Sequence, residues 1–413
     1  MANNLKTTFA PRNVCVVGLG YIGLPTAAIL ASRGHHVTGV DANSAVVDTI
    51  NAGGVHIVEP DLDLLVKTGV QSGRLKASMT PVASDVFILC VPTPFHPESN
   101  QPNIDYVRAA AESIAPHVRP GNLVILESTS PPGTTLDVVG GALQAAGHKA
   151  GQDYHLAHCP ERVLPGAILR ECVENDRVIG GATPACSAAA AEFYATFVNG
   201  DIVLTDCKTA ETVKLVENAS RDAQIAFANE LSLICDRLNL DVWEVIRLAN
   251  RHPRVNILQP GPGVGGHCIA VDPWFLVAAA PDATAFMRAT RERNNAMPAE
   301  TATRIARAAH QTGAKTVALL GMAYKNDIDD FRESPSVAVH KHVLEQLPDV
   351  KVWACDPYVH AMPGVELKSF EECLAHADLL ALLVAHRPFR FYDWSQLRPD
   401  QTLIDFKGVL QTG

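Results

Sequence analysis

The segment that most constrains the fold of this chain lies between Asn13 and Asp41. A short apolar run, 13–17, leads directly into Gly18-Leu19-Gly20-Tyr21-Ile22-Gly23, and an alanine-rich stretch follows. A second apolar run, 36–40, then ends at Asp41. Strand, G-x-G-x-x-G, helix, strand and acid in this order are typical of the βαβ unit that binds a dinucleotide. The sequence therefore predicts an α/β chain built on doubly wound sheets.

The three glycines of this turn have different predicted tasks. Gly18 makes the tight turn, Gly20 admits a pyrophosphate, and Gly23 lets the helix pack closely on the strand. The N-terminus of the helix then offers N–H groups to the phosphates. Asp41 would take the ribose hydroxyls and repel a 2′-phosphate, which favours NAD over NADP. We assign Gly18, Gly20, Tyr21, Ile22, Gly23 and Asp41 to the cofactor; a glycine-rich turn that binds nothing is the alternative.

Two further apolar runs end in hydroxyl side chains. Residues 86–91 lead into Pro92-Thr93-Pro94, and residues 122–127 lead into Ser128-Thr129-Ser130. Doubly wound sheets bind ligands at the carboxyl ends of their strands, so Thr93 and Thr129 are candidate cofactor contacts. For either threonine alone, a helix-cap or turn hydroxyl is an equally good interpretation.

A long helix is predicted from Thr209 to Leu238, because the stretch has helical periodicity and contains no Pro or Gly. Lys214, Asn218 and Arg221 share one face at spacings of i, i+4 and i+7. A solvated face is one interpretation of this stripe. The other is a lined cavity, since the apolar residues suggest an enclosed helix; these are Val213, Leu215, Val216, Ile225, Phe227, Leu231 and Ile234. We also expect such a helix to form subunit contacts in a homodimer or higher homo-oligomer.

A loop rich in glycine runs from Gly261 to Phe275 and contains Cys268. Cysteine is usually buried, so its place in such a loop suggests a nucleophilic thiol presented to a small molecule. The glycines would then give the ligand room, while a purely structural loop is the alternative. Just before it, Arg251-His252-Pro253-Arg254 suits an anionic ligand such as a pyrophosphate.

The C-terminal part repeats the α/β pattern of the first part without the G-x-G-x-x-G. A predicted strand, 315–320, is followed by Tyr324 and Lys325, and another, 350–355, ends at Asp356. We interpret this as a second nucleotide-binding half for a different, phosphate-bearing ligand. Lys325, Arg332 and Lys407 could supply positive charge, although for Lys407 alone a surface lysine is the better interpretation.

The bulk composition excludes several classes of function. The net charge of −10 argues against nucleic acid as the main partner, and no apolar run is long enough to span a membrane. No secretory signal is evident, so the ten cysteines are expected to be reduced in the cytoplasm. Without clustered His and Cys residues, no metal site is expected.

Together these residues resemble the UDP-glucose/GDP-mannose dehydrogenase family over nearly the whole chain. Several motifs in the same order carry the resemblance, which makes it far more specific than any one of them. They are Gly18 to Gly23, Val91-Pro92-Thr93-Pro94, Glu127-Ser128-Thr129, Cys159-Pro160-Glu161-Arg162, Lys214 to Asn218, Gly265-Gly266-His267-Cys268 and Arg332-Glu333-Ser334-Pro335.

The resemblance implies two Rossmann-like doubly wound domains joined by a long central helix and a helical dimerisation region. Residues 1–204 would bind NAD, residues 205–310 would carry the helix, the catalytic loop and the dimer contacts, and residues 311–413 would bind a UDP-sugar. It also implies a four-electron oxidation of a sugar CH₂OH to a carboxylate by two NAD. Cys268 would hold the aldehyde as a thiohemiacetal, from which a second hydride can still be removed. The resulting thioester would then be hydrolysed by water.

The same resemblance implies roles for other residues. Lys214 would be the general acid/base or oxyanion partner, and Asn218 and Asp272 would orient groups around the thioester and its water. Thr129 and Glu161 would join that network. Arg254 would reach the substrate of a neighbouring subunit, Tyr324 and Lys325 would hold the uridine diphosphate, and Arg332 would lie near the cofactor. The predicted substrate contacts are Arg162, Val163, Lys214, Asn218, Arg221, His252, Arg254, Gly265, Tyr324, Lys325 and Lys407.

Two departures from the pattern narrow the substrate. Members that act on UDP-glucose typically follow the cysteine with Phe-Pro-Lys-Asp, where this chain has Ile269-Ala270-Val271-Asp272. They also carry a glutamate four residues after the one that matches Glu161, where this chain has Pro165. The second departure leaves the base that activates the water open.

Residues 160–166, 250–256 and 271–275 instead resemble the N-acetylhexosamine branch. Within it, Pro273-Trp274-Phe275 favours UDP-N-acetyl-D-mannosamine, since members acting on UDP-N-acetyl-D-glucosamine usually have Pro-Tyr-Tyr there. The glucosamine epimer stays as an alternative substrate. A non-catalytic sugar-nucleotide sensor and a two-electron dehydrogenase are further alternatives, and the intact set of Lys214, Asn218, Cys268 and Asp272 argues against the sensor.

Overall fold

The computed structural model describes residues 9–96, 101–164, 166–266 and 268–411, so Pro165 and His267 lie outside the described residues. The chain divides into two compact units. One comprises residues 1–217 and 274–281, and the other comprises residues 218–273 and 282–413. The finer division into three domains stays a prediction.

A parallel sheet forms the centre of the first unit. Its described strands are β1 (Asn13–Val17), β2 (His36–Val40), β3 (Leu75–Ser78), β4 (Val86–Leu89), β7 (Leu123–Leu126), β8 (His155–His158), β9 (Arg177–Gly181) and β10 (Ile202–Asp206), with β5 (Phe95–His96) and β6 (Gln101–Pro102) pairing apart from it. The order in the sheet is β10-β9-β8-β7-β4-β1-β2-β3, and only β8 and β9 run antiparallel among these neighbours. The stretch β3-β2-β1-β4-β7-β8 has the strand order of the doubly wound dinucleotide-binding fold.

Helices lie between these strands, and two of them begin after a residue whose side chain caps the helix. The described helices are α1 (Gly23–Ser32), α2 (Ser44–Asn51), α3 (Leu62–Gln71), α4 (Asp105–Ile114), α5 (Gly141–Ala145), α6 (Ile168–Glu174) and α7 (Pro184–Tyr194), with a π-helical segment at Thr135–Gly140. Asn43 and Thr183 cap α2 and α7 with their side chains, as expected for residues of these types. In β1, Val14 and Val16 face one core and Cys15 and Val17 the other, so apolar runs without alternation are covered on both faces.

The second unit contains a smaller parallel sheet. Its strands β11 (Thr316–Leu320), β12 (Lys351–Cys355), β13 (Leu379–Leu382) and β14 (Thr402–Asp405) lie in the order β12-β11-β13-β14. This order matches β2-β1-β4-β7 of the first unit, so the predicted repeat of the α/β unit and the two Rossmann-like halves are confirmed. The helices that follow α8 (Cys207–Leu238) are α9 (Val242–Ala249), α10 (Asp272–Ala279), α11 (Ala285–Thr312), α12 (Pro335–Gln346), α13 (Phe370–His376) and α14 (Arg387–Arg390).

The long predicted helix exists, but the expectation that it is largely enclosed is wrong for part of its surface. Val216, Phe227 and Ile234 are 46%, 59% and 47% exposed. Their spacings of eleven and seven residues place them on one side of α8, because both spacings are close to whole numbers of turns. The helix therefore has one buried face and one apolar face that the described residues leave uncovered.

The cysteines divide as the sequence predicts. Cys268 is exposed, while the other nine are buried or half-buried. Over the described part of the chain, no group of His, Cys, Asp and Glu residues could hold a metal ion. Among the same residues, no helix is both long and apolar enough to cross a membrane.

Candidate active site

Close packing within the protein requires glycine at two of the three glycine positions in the turn after β1. Gly18 has a φ of +93°, and a Cβ there would lie 2.5 Å from the carbonyl oxygen of Cys90. A Cβ on Gly23 would lie 1.8 Å from the carbonyl oxygen of Gly18. A Cβ on Gly20 would meet no heavy atom within 4 Å. Protein contacts therefore explain Gly18 and Gly23, whereas Gly20 borders open space that a ligand can approach.

The surroundings of this turn suit a dinucleotide. Helix α1 begins without a side-chain cap and has no acidic residue in its first turn, so its positive end is open to a pyrophosphate. Asp41 is half-buried, and its two carboxylate oxygens accept hydrogen bonds from the amides of Leu19 (3.1 Å) and Asn43 (2.9 Å). The carboxylate is thus fixed beside the turn, where it can accept from ribose hydroxyls and repel a 2′-phosphate.

Thr93 and Thr129 meet at the carboxyl edge of the same sheet. They follow the neighbouring strands β4 and β7, and the Thr93 hydroxyl donates to the carbonyl oxygen of Thr129 over 2.5 Å. Both residues are half-buried. The fold therefore brings together the two threonines that the sequence assigned to the cofactor, although their roles stay predictions.

Glu161 lies in a buried ion pair that the sequence did not reveal. Its Oε2 accepts from Nη1 of Arg177 over 2.6 Å, and its Oε1 accepts from the amide of Arg162 over 2.7 Å. The side chains of Arg177 and Glu161 are 3% and 5% exposed. Because breaking a buried pair leaves an uncompensated charge, Arg177 is the partner that fixes the orientation of the Glu161 side chain.

A second buried carboxylate belongs to the same cluster. Glu127 accepts from the hydroxyl of Tyr194 over 2.5 Å and from the thiol of Cys90 over 3.2 Å. Burial, followed by repulsion from Glu161, raises the pKa of Glu127 above its ordinary value. The surroundings of Glu127 therefore favour its protonated form.

The polar stripe on α8 is longer than predicted and partly buried. In the second unit, Asn218 donates from Nδ2 to Oδ2 of Asp272 over 2.5 Å. Asp222, one turn further on and fully buried, accepts from Nη1 of Arg291 over 2.5 Å. In the first unit, Lys214 is half-buried. Burial raises the pKa of Asp222 despite the opposing charge of Arg291.

A buried amide ladder connects α8 with the start of the Cys268 loop. Asn229 accepts from the amide of Gly261 over 2.9 Å and donates to Asn294 of α11 over 2.8 Å. Asn294 in turn donates to the Asp222 carboxylate over 2.7 Å. The loop is therefore anchored by residues that are almost fully buried.

The Cys268 loop ends in a helical turn. The carbonyl oxygen of Cys268 accepts from the amides of Val271 (3.0 Å) and Asp272 (2.9 Å), and α10 begins at Asp272. Cys268 is exposed, whereas Asp272 is 3% exposed. An accessible thiol is thus followed, one turn later, by a buried carboxylate that Asn218 binds.

Packing within the protein accounts for the glycines before Cys268. A Cβ on Gly265 would lie 2.4 Å from the carbonyl oxygen of Glu333, and one on Gly266 would lie 3.0 Å from the ring of Tyr324. A Cβ on Gly263 would lie 3.1 Å from Pro335. The expected purpose of these glycines, room for a ligand, is therefore not needed to explain them, and the role of Gly265 in substrate binding stays a prediction.

A cavity of about 700 Å³ lies in the second unit, beside the start of this loop. Arg221, Arg247 and Lys407 contribute positive charge to its walls, and Ile225 and Trp243 contribute apolar surface. Burial lowers the pKa of Lys407 below its ordinary value. The interpretation of Lys407 as a surface lysine is wrong, because the residue is half-buried and lines this cavity.

The remaining predicted residues have varied surroundings. Arg162 pairs with Glu217 over 2.7 Å, and Arg332 pairs with Asp330 over 2.7 Å. Arg254 is exposed, and its amide donates to Nδ1 of His252 over 3.3 Å. Val163, Tyr324 and Lys325 are half-buried, while Tyr21 is exposed and Ile22 is half-buried.

The fold and these sites define a dinucleotide-dependent dehydrogenase whose second half is built for another nucleotide. Three family models match the chain: the NAD binding domain of the UDP-glucose/GDP-mannose dehydrogenase family over residues 12–198, its central domain over residues 208–296 and its UDP binding domain over residues 318–412. The chain belongs to the UDP-glucose/GDP-mannose dehydrogenase family. It is accordingly an NAD-dependent nucleotide-sugar dehydrogenase.

Individual relatives narrow the comparison. The chain is 51% identical over 411 residues to an NDP-N-acetyl-D-galactosaminuronic acid dehydrogenase of Ralstonia nicotianae, covering 96% of each chain. It is 48% identical over 418 residues to a UDP-N-acetyl-D-mannosamine dehydrogenase of Escherichia coli, covering 96% of this chain and 98% of the relative. Among solved structures, a UDP-D-ManNAc dehydrogenase from Pyrococcus horikoshii superposes with a TM-score of 0.88 at 38% identity, covering 97% of this chain and 96% of that one.

Proposed function

We propose that this chain oxidises UDP-N-acetyl-D-mannosamine at C6 to UDP-N-acetyl-D-mannosaminuronate, with two NAD and one water consumed. The observation that carries the chemistry is the exposed Cys268 followed by Asp272, which Asn218 binds over 2.5 Å. The observations that support the substrate are the residues from Val271 to Phe275 and the relatives named for UDP-N-acetyl-D-mannosamine at 48% identity.

NAD, when bound, accepts the hydrides that leave C6. Lys214 takes the proton of the C6 hydroxyl as the aldehyde forms. The Cys268 thiolate then adds to that aldehyde, and Lys214 returns the proton to the oxygen, which gives a thiohemiacetal whose carbon still carries one hydrogen. Loss of that hydrogen as hydride, with the hydroxyl proton passing to Lys214 again, gives a thioester, so the thiol both retains the intermediate and makes the second oxidation possible.

Water then attacks the thioester carbon, the thiolate leaves as the carboxylate forms, and the two protons of the water are released to solvent. We assign Asp272 to orient this water; the support is that its carboxylate accepts from Asn218 and that it lies one turn after Cys268. Glu161 is the weaker candidate for proton transfer, since its carboxylate already accepts from Arg177 and from the amide of Arg162. We assign Glu161 and Thr129 to the surrounding hydrogen-bond network.

The cavity beside Gly261 is our candidate for part of the substrate site. Arg221 and Lys407 offer positive charge to a diphosphate, while Ile225 and Trp243 offer apolar surface to a base. Arg254 would complete this site from a neighbouring subunit. The uncovered apolar side of α8 supports a homodimer, because patches of this kind commonly mark subunit contacts.

A second candidate substrate is an N-acetyl-D-galactosamine nucleotide. The 51% identical relative is named for N-acetyl-D-galactosaminuronic acid, and that identity is slightly above the 48% of the mannosamine relative. UDP-N-acetyl-D-glucosamine, which differs from the mannosamine substrate only in the configuration at C2, is the third substrate to compare.

The purified chain should be given UDP-N-acetyl-D-mannosamine, its glucosamine and galactosamine counterparts and UDP-glucose, each with NAD. We expect the highest kcat/KM for the mannosamine nucleotide and two NADH formed for each sugar oxidised. Preference for another hexosamine nucleotide would overturn the proposed substrate but leave the proposed four-electron oxidation intact. One NADH per sugar with free aldehyde would overturn the thioester route, and no oxidation of any of them would favour a sensor.

A further inference from the structure

The two sheets carry an acid at equivalent positions, and the surroundings of the two acids differ. Asp41 follows β2 and Asp356 follows β12. Each carboxylate accepts a hydrogen bond from the amide just after the glycine that follows β1 or β11: Asp41 from Leu19 at 3.1 Å, and Asp356 from Met322 at 2.7 Å. Asp41 is half-buried, but the side chain of Asp356 is 0% exposed. The second acid is therefore closed to a ribose.

Asp356 is closed because the protein supplies all its partners. Its Oδ2 accepts from the amides of Met322 and Ala323 (3.0 Å) and from Nε2 of His386 (3.0 Å). Its Oδ1 accepts from the amides of Tyr358 (2.9 Å) and Val359 (3.1 Å). A carboxylate with five donors has no capacity left for a ligand.

His386 connects Asp356 to a second point of the loop that follows β11, the backbone of Asp327. Its Nδ1 lies 2.9 Å from the amide of Asp327, and its ring is 0% exposed. The amide can only donate, so Nδ1 is the acceptor and the ring proton lies on Nε2, towards Asp356. The imidazole is thus a bridge between Asp356 and the Asp327 backbone.

The Asp327 residue is itself held in an unusual conformation. Its φ of 61° lies in the left-handed region, and its carboxylate accepts from the amide of Arg387 (2.6 Å) and from Nη2 of Arg390 (2.8 Å). Tyr324 and Lys325 lie between the two anchor points, 322–323 and 327. Their backbone is therefore fixed on both sides by a single carboxylate–imidazole pair.

We infer that His386, with Asp356, is a positioning residue for the ligand-binding segment Tyr324-Lys325, where the first sheet uses the equivalent acid for a ribose. This inference rests on the proposed function, since it takes these two residues to hold the uridine diphosphate. His386 touches no substrate atom; it fixes the backbone from which Lys325 reaches a phosphate. In this interpretation both sheets have the acid at the same position, but Asp41 binds a ribose whereas Asp356 binds groups of the protein itself.

Two substitutions of His386 test the two hydrogen bonds of its ring separately. In His386→Asn the side-chain oxygen can replace Nδ1 and still accept from the Asp327 amide, while in His386→Gln the amide nitrogen can replace Nε2 and still donate to Asp356. Binding of UDP and of NAD to the full chain should be measured by calorimetry, with steady-state kinetics on the preferred nucleotide sugar. For His386→Gln we expect about a tenfold rise in the Kd of UDP and in the KM of the sugar, with kcat and the Kd of NAD unchanged.

His386→Asn should recover most of the UDP affinity, because it keeps the contact to Asp327. His340→Gln is the matched control: His340 is a buried histidine of α12 in the same unit, and its loss should lower the melting temperature without changing UDP binding. Equal UDP affinity in wild type and His386→Gln, or equal losses in both His386 variants, would overturn the inference and leave the proposed function intact. A wild-type chain that binds no UDP would overturn both.

Discussion

Asn218 donates a hydrogen bond of 2.5 Å to Asp272, and this bond fixes the carboxylate that follows Cys268 in the loop. The Asp272 amide also donates to the carbonyl oxygen of Cys268 over 2.9 Å. One side-chain bond and one helical turn therefore hold the Cys268 backbone, the Asp272 carboxylate and the Asn218 side chain in the second unit. Such fixed groups are effective in catalysis because they need not reorganise during the reaction.

Asp272→Asn should separate oxidation from hydrolysis. If Asp272 orients the water, the variant forms the thioester but releases it slowly, and we expect kcat to fall by about a hundredfold. Rapid mixing should show a burst of NADH, and mass spectrometry should show a sugar-nucleotide adduct on Cys268. Asp282→Asn, at an exposed acid ten residues on, is the control. Loss of activity without burst or adduct would assign Asp272 to an earlier step.

Cys268→Ser should abolish complete turnover and leave NAD binding intact. A serine hydroxyl is a far weaker nucleophile and leaving group than a thiolate, so neither the hemiacetal nor the acyl intermediate would support the second oxidation. Calorimetry with NAD and a turnover assay measure the two properties. Cys235→Ser changes a buried thiol of α8 and should keep activity. Full activity in Cys268→Ser would make the loop structural.

The glycines of the first turn offer a matched pair of substitutions. Gly20→Ala adds a Cβ with no heavy atom within 4 Å, so stability should stay within about 0.5 kcal/mol while the KM of NAD rises several-fold. Gly18→Ala forces a Cβ to 2.5 Å from the Cys90 carbonyl at a φ of +93°, so it should lower the melting temperature instead. An unchanged KM of NAD in Gly20→Ala would show that the pyrophosphate does not approach this residue.

The sequence predicted the features that depend on local pattern. The strands, the glycine turn and helix α8 follow from runs and spacings of neighbouring residues, and the structure has them within a few positions. Arg177, Asp222 and Asn229 were missed because only the fold brings their partners close to them: Asp222, for example, pairs with Arg291. Lys407 was misjudged for the same reason, since only the fold places it at the cavity.

Acid should destabilise the first unit through His158. Its side chain is 0% exposed, neither ring nitrogen has a hydrogen-bond partner among the described residues, and burial lowers its pKa to about 3. The unfolded chain binds a proton near pH 6.5 and the folded chain does not, so stability is lost as pH falls from 6.5 towards 3. The expected loss between pH 7 and pH 4.5 is up to about 3 kcal/mol.

Urea unfolding at several pH values measures this dependence. In His158→Leu the fall in unfolding free energy towards pH 4.5 should be smaller than in wild type, because the unfolded state no longer gains that proton. His56→Asn, at an exposed histidine of the same unit, should keep the wild-type slope. The same slope in His158→Leu and wild type would mean that His158 is not the titrating group.

Arg254 should act in the active site of the neighbouring subunit. If it does, Arg254→Ala and Cys268→Ser chains are each inactive alone, but a mixed dimer has one site with both residues intact. Random mixing should then restore about a quarter of the wild-type activity, since half of the dimers are mixed and each has one working site. The matched control mixes Cys268→Ser with Asp272→Asn. Those two residues serve the same subunit's thioester chemistry, so no mixed dimer regains a complete site. No recovery with Arg254→Ala would place Arg254 in its own subunit's site, whereas recovery in the control would show that Cys268 and Asp272 do not serve the same subunit.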